Sequence, residues 1–158
     1  MVHGGVRGDE VAEDRGFTVA ELLVVMGILA AVTLSASPWL ISAWRAATTR
    51  AAAQELATGL SAARQLAIAK AQSVCVEIAA GNYRYRLGGC AGPVWMGPGT
   101  GPNGFFRLSS GATVAANANP VFDDLGAATP AATLTVASAQ GAEARTITVS
   151  GSGRIHVQ

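Results

Sequence analysis

A polar opening, MVHGGVRGDEVAEDRG, gives way abruptly to a long apolar run. From Leu22 to Trp44 no residue carries a charge. At about 1.5 Å per helical residue this run is roughly 35 Å long, enough to cross a bilayer. Beyond it the pattern becomes that of an amphipathic helix. Ala52, Leu56, Leu60, Ala63, Ala67, Ala71 and Val74 recur at three- or four-residue spacing. Arg45, Arg50, Gln54, Glu55, Ser61, Arg64 and Gln65 cover much of the remaining surface. The pattern predicts one helix from about Phe17 to Ser73, with a membrane half and a half whose apolar face packs on a head. Pro38 interrupts it, removing a backbone donor and crowding the preceding turn, so a kink is expected there.

After Ser73 the period changes to two. Val74, Val76 and Ile78 alternate with Cys75 and Glu77; Gly81 and Asn82 mark a turn; Tyr83, Tyr85 and Leu87 alternate with Arg84 and Arg86. This reads as an antiparallel hairpin with one apolar face. Residues 88–104 are rich in Gly and Pro and read as a mobile loop. Trp95 and Met96 within it either meet another chain or tuck onto their own core, and the core reading is favoured. Later strands are expected at Phe105–Leu108, Thr113–Ala115, Thr133–Ala137, Thr146–Val149 and Arg154–Val157. The fold class is α+β, with three parts: a leader at 1–16, a transmembrane part at 17–44 and a head at 45–158.

Composition adds limits. The net charge is +1, which points to no particular partner, and charged residues make up 13% of the chain. The two cysteines, Cys75 and Cys90, fall near the open end of the expected hairpin. They form either one disulfide or two separate buried thiols, and the apolar run favours the disulfide of an exported domain. Closing a loop of about fifteen residues contributes on the order of 3 kcal/mol by the chain-entropy model. Of the two histidines, His3 lies in the leader and His156 near the end, with no acid or nucleophile arranged around it. No cysteine–histidine set has metal-ligand spacing. Asp123-Asp124 reads as a turn and not as a calcium site. No catalytic residue, metal or cofactor is expected.

A secretory signal peptide has its cleavage site after the apolar stretch; here the plausible cut lies before it, at Gly16. The run Gly16-Phe17-Thr18-Val19-Ala20-Glu21-Leu22-Leu23-Val24-Val25 resembles the cleavage and methylation motif of type IV prepilins and type II secretion pseudopilins. That resemblance implies a prepilin peptidase that cuts after Gly16 and methylates the freed amine of Phe17. It also places Glu21 at the family's glutamate position and Pro38 at its recurring proline. Glycine lets the peptide enter a narrow protease site extended. A carboxylate at mid-bilayer costs about 2.5–3.5 kcal/mol or more, so Glu21 needs a reason to be there. The amine of Phe17 on a neighbouring subunit is its natural partner in setting register; a Glu that snorkels to the interface is the alternative.

The segments Val121-Phe122-Asp123-Asp124-Leu125-Gly126, Arg145-Thr146-Ile147-Thr148-Val149 and Gly153-Arg154-Ile155 resemble the H-type minor pseudopilins of type II secretion and the closely similar fimbrial-biogenesis minor pilins. The resemblance implies a pilin-like head of helix on antiparallel β-sheet, an inner-membrane anchor with the head in the periplasm, and a place near the tip of a pseudopilus. It also implies partners: other pseudopilins or minor pilins, and secreted cargo. The alternative is a minor pilin for pilus biogenesis or DNA uptake. For DNA the candidates are Arg84, Arg86 and Arg154, with Arg107 and Arg145 as additions, because phosphate contacts need clustered positive charge. Tyr83 and Tyr85 fall on the opposite strand face and read as core, while Glu77, Asp123, Asp124 and Glu143 dilute the positive field.

Processing is directly measurable. Intact-mass analysis of the membrane form should show loss of residues 1–16 and one added methyl, and Gly16→Glu should retain the leader. An unsubstituted membrane form that still carries the leader contradicts the reading.

Overall fold

Thr18 opens the first helix. Its Oγ1 accepts a hydrogen bond from the Glu21 backbone N–H at 3.2 Å, which is the N-cap arrangement. Glu21 stands three residues on, in the first turn, where the helix dipole favours an acid. The helix, α1, runs Val19–Lys70. The computed structural model describes residues 18–79, 81–108, 111–138 and 143–158, apart from the side chains of 34–38. Gly16, Phe17 and the kink expected at Pro38 lie outside the described residues.

The chain divides into two units, the first ending at Leu40 and the second being Ile41–Gln158. In the first, the large apolar side chains of α1 from Val19 to Val32 are exposed. Among the described residues no helix is long and apolar enough to cross a membrane; the described side chains of the uncharged run stop at Thr33 and resume at Trp39.

The second unit is the head. Among the described residues nine strands follow α1: β1 Val74–Ala79, β2 Asn82–Leu87, β3 Phe105–Arg107, β4 Thr113–Ala116, β5 Val121–Phe122, β6 Ala128–Thr129, β7 Ala132–Ala137, β8 Ala144–Val149 and β9 Ile155–Val157. They form two antiparallel sheets, ordered β3-β2-β1-β5-β6 and β4-β7-β8-β9. The strands expected from the alternation fall in both sheets, and the short β5 and β6 add to them. The α+β class and the antiparallel arrangement stand. The hairpin register puts Val74 opposite Leu87 and Ala79 opposite Asn82, as the alternation predicts.

One core serves the helix and both sheets. From α1 it takes Ala52, Ala53, Leu56, Leu60, Ala63 and Ala67, all fully buried. From the strands come Val74, Val76, Tyr83, Tyr85, Phe122, Leu134, Val136, Ile147 and Val149. Burying a side chain the size of Leu or Phe contributes about 1.5–3 kcal/mol, so this face carries much of the head's stability. The helix face is mostly alanine, which lets the sheet come close. At Gly59 a Cβ would collide with the Tyr83 ring and hydroxyl. The Tyr85 hydroxyl donates to the Gly59 carbonyl at 2.7 Å.

Ala71, expected in the apolar face, is exposed instead. The helix stops before it in a Schellman turn. Gln72 N–H donates to the Ala67 carbonyl and Ala71 N–H to the Ile68 carbonyl, both at 3.2 Å. Ala71 takes the left-handed position of that turn at φ 48°, where glycine is usual.

The Gly-Pro-rich segment is fastened. Leu87 N–H donates to the Pro93 carbonyl at 3.0 Å and Trp95 N–H to the Tyr85 carbonyl at 2.9 Å. Trp95 lies against Tyr85 and Phe106, with ring centroids 5.7 and 6.2 Å away, which settles it as core. Met96 remains exposed.

Ala71→Gly should raise the head's stability by about 0.5–1 kcal/mol, read by chemical denaturation, because it removes the left-handed penalty without touching a contact. No gain would contradict the turn assignment.

Candidate assembly interface

The outer face of the five-stranded sheet is built by hairpin register. Glu77 on β1 lies directly opposite Arg84 on β2, and Cys75 opposite Arg86. Opposite charges in register attract across a sheet. Glu77 accepts from Arg84 Nε at 2.9 Å and Arg84 Nη2 at 2.8 Å, a two-point pairing. Arg86 Nε also donates to Glu77, and Arg86 Nη1 donates to the Gly92 carbonyl at 2.9 Å. The Arg84 guanidinium sits 4.5 Å from the centre of the Phe105 ring. Hydrogen bonds from Arg84 and then Arg86 lower the Glu77 carboxyl from 4.5 to about 2, against the opposing effect of burial. Cys75 and Cys90 form a disulfide with Cα atoms 5.0 Å apart, joining β1 to the start of the Gly-Pro-rich segment. The face is cross-linked covalently and ionically, and its two arginines share one acid.

A second cluster joins distant parts of the chain. Arg64, on α1, donates its Nε to the Gly126 carbonyl at 2.9 Å. Gly126 and Gly153 both have left-handed φ, +83° and +74°. A Cβ on Gly153 would collide with the Gly126 carbonyl, so the two turns close on each other only as glycines. Asp123 holds the first turn: its Oδ1 accepts from Leu125 N–H at 3.0 Å and Ala127 N–H at 2.7 Å. Asp123-Asp124 is thus a turn device, as expected. Among the described residues no group of three or more His, Cys, Asp or Glu could hold a metal ion.

The residues weighed for DNA contact do not gather. Arg84 and Arg86 are committed to Glu77 on one sheet, while Arg154 is exposed beside β9 of the other. Tyr83 and Tyr85 are buried, as expected; burial pushes both phenols up, most strongly Tyr85. Arg107 and His156 are exposed. The role of Arg64 escaped the sequence reading, which placed it on the solvated helix face. The usable signal was the glycine that ends the first C-terminal segment and the one that begins the last.

A family model described as Type II transport protein GspH matches residues 52–153, more than half of the chain. The chain belongs to the GspH family. Among solved structures, the type IV minor pilin FimU of Pseudomonas aeruginosa (strain PAO1) is similar with a TM-score of 0.52 and 17% identity, covering 69% of this chain and 91% of that one. The minor pseudopilin EpsH from the type 2 secretion system of Vibrio cholerae is similar with a TM-score of 0.52 and 15% identity, covering 67% and 92%. At such identities the likeness concerns the fold. No curated protein sequence matches the chain.

As a member of the GspH family, the chain is a structural subunit and not an enzyme. The GspH match contains the disulfide, the Glu77 pairing and the Arg64–Gly126–Gly153 cluster, and begins beyond the uncharged run.

The Glu77 pairing makes stability pH-dependent. Its folded-state pKa is depressed, so its contribution is present above pH 4.5 and is lost as pH falls towards 2. Allowing for solvent screening, Glu77→Gln should cost about 1–2 kcal/mol at pH 7. The stabilities of variant and parent should converge near pH 2; a constant gap down to that pH contradicts the assignment.

Proposed function

We propose that the chain is a minor pseudopilin near the tip of a type II secretion pseudopilus, supporting protein export across the outer membrane. It is cut after Gly16, methylated on Phe17 and anchored in the inner membrane, with its head in the periplasm. The carrying observation is the exposed, uncharged apolar surface of α1: Leu22, Leu23, Met26, Ile28, Leu29 and Val32 all face outward. A soluble chain rarely leaves so large an apolar surface uncovered. Lipid before assembly, and neighbouring pseudopilin helices after it, supply the cover. Trp39 and Trp44, both exposed, and Arg45 just beyond them suit the membrane–water boundary.

Glu21 has a helix-start position and an assembly role, and the two are separable. Its exposed carboxylate meets the amine of Phe17 on the neighbouring subunit and sets register. Glutamine suits the third helix position beneath a Thr cap as glutamate does, but carries no charge. The DNA-uptake reading draws no support from Arg84 and Arg86, whose charge is balanced in part by Glu77.

The test is genetic and biochemical. Deleting the gene should strand secretion substrates in the periplasm, and the parent chain should restore export. Glu21→Leu and Glu21→Gln should both stay in the membrane and both lose crosslinking to partner pseudopilins. Export that survives deletion contradicts the secretion role, and full crosslinking by Glu21→Gln contradicts the charge pairing.

A further inference from the structure

The second sheet ends at a free edge. Thr146 and Gln158 exchange backbone hydrogen bonds, 3.3 Å from Thr146 N–H and 2.8 Å from Gln158 N–H. His156 stands opposite Thr148, two residues along. Antiparallel alternation then turns the backbone N–H and C=O of Ile155 and Val157 away from β8, towards the open side. Among the described residues no strand covers that side, since β9 is last in its sheet. Unpaired edges of this kind are templates for a further strand.

Beside the start of that edge lies a groove of about 680 Å³ between α1 and the segment Ser152–Ile155. Two cations line it, Arg64 and Arg154, and no acid does. Arg64 is held by its Nε on the Gly126 carbonyl, which fixes the guanidinium, and its two terminal nitrogens have no hydrogen-bond partner among the described residues. The Arg154 side chain makes no hydrogen bond or ion pair among the described residues. The contrast with Arg84 and Arg86, each satisfied by Glu77, is direct. Ile68, nearly half exposed, adds an apolar wall.

We infer that this groove is a docking site for an extended acidic segment of a partner protein, which adds as a strand to the free edge of β9 and places a carboxylate between Arg64 and Arg154. Main-chain bonds to Ile155 and Val157 supply affinity, and the carboxylate supplies selection and register. Charge complementarity selects the occupant: two unneutralised guanidiniums, one of them preset, match a carboxylate fork. The inference holds for any filament the subunit enters, because it uses the head's groove and not the apolar run.

The test uses the full chain, isotopically labelled, in non-ionic detergent micelles. The probe is a seven-residue peptide of alternating threonine and valine with glutamate at its centre, titrated into the millimolar range by NMR. The Ile155 and Val157 amides and the Arg64 and Arg154 Nε–H signals should shift together. The same peptide with glutamine at the centre should bind at least about tenfold more weakly, and one with proline at alternate positions should not bind. Arg154→Gln, at an exposed position, should weaken binding while leaving the rest of the spectrum in place; Arg64→Gln plus Arg154→Gln should abolish it. No shifts at millimolar peptide, equal shifts from the glutamate and glutamine peptides, or shifts centred elsewhere would overturn the inference. So would a groove that responds to duplex DNA and not to the acidic peptide.

Discussion

The head depends on how closely its first sheet approaches α1. Ala52, Ala53, Gly59, Ala63 and Ala67 keep that helix face thin, and Tyr83 and Tyr85 fill the space a bulkier face would occupy. The Tyr85 hydroxyl, deep in an apolar setting, is satisfied by the Gly59 carbonyl, so the buried phenol does not stand unpaired. Phe106 and Trp95 stack outward from the two tyrosines and bring β3 and the Gly-Pro-rich segment onto the same platform. One close approach therefore sets the hairpin, the loop after it and the disulfide that ties them.

From that hairpin the two faces of the sheet divide the work. The inner face packs on α1, while the outer face carries Cys75, Glu77, Arg84 and Arg86 in register. Strand alternation makes this division automatic: the charged residues that cannot enter the core, Glu77, Arg84 and Arg86, are those that pair with each other. On the far side of the head the same economy operates through glycine. Two left-handed turns, at Gly126 and Gly153, meet over Arg64 and bring together segments that are far apart in the chain.

Much of this was legible in the sequence because strong periodicities carry it. The three- and four-residue spacing from Ala52 to Ala67 and the alternation from Val74 to Leu87 each report a single buried face. The helix end was misplaced because its signal was absent: Ala71 occupies a turn position that glycine normally marks. The strands β5 and β6, two residues each, are too short to show a period. Arg64 was unreadable for a different reason. Its partner lies 62 residues away, and a helix-surface arginine with a long-range carbonyl partner looks locally like any solvated one. The salt-bridged state of Arg84 and Arg86 needed register as well as alternation.

On the proposed function, the apolar surface of α1 is covered by membrane or by other subunits while the head stands in the periplasm. Site-specific maleimide labelling in cells tests it most directly. Val24→Cys lies in the exposed apolar stretch and Ala62→Cys on the exposed side of the head's helix. With the outer membrane permeabilised and a membrane-impermeant reagent outside, the account predicts ready labelling at position 62 and none at position 24. Equal labelling at both positions would contradict it.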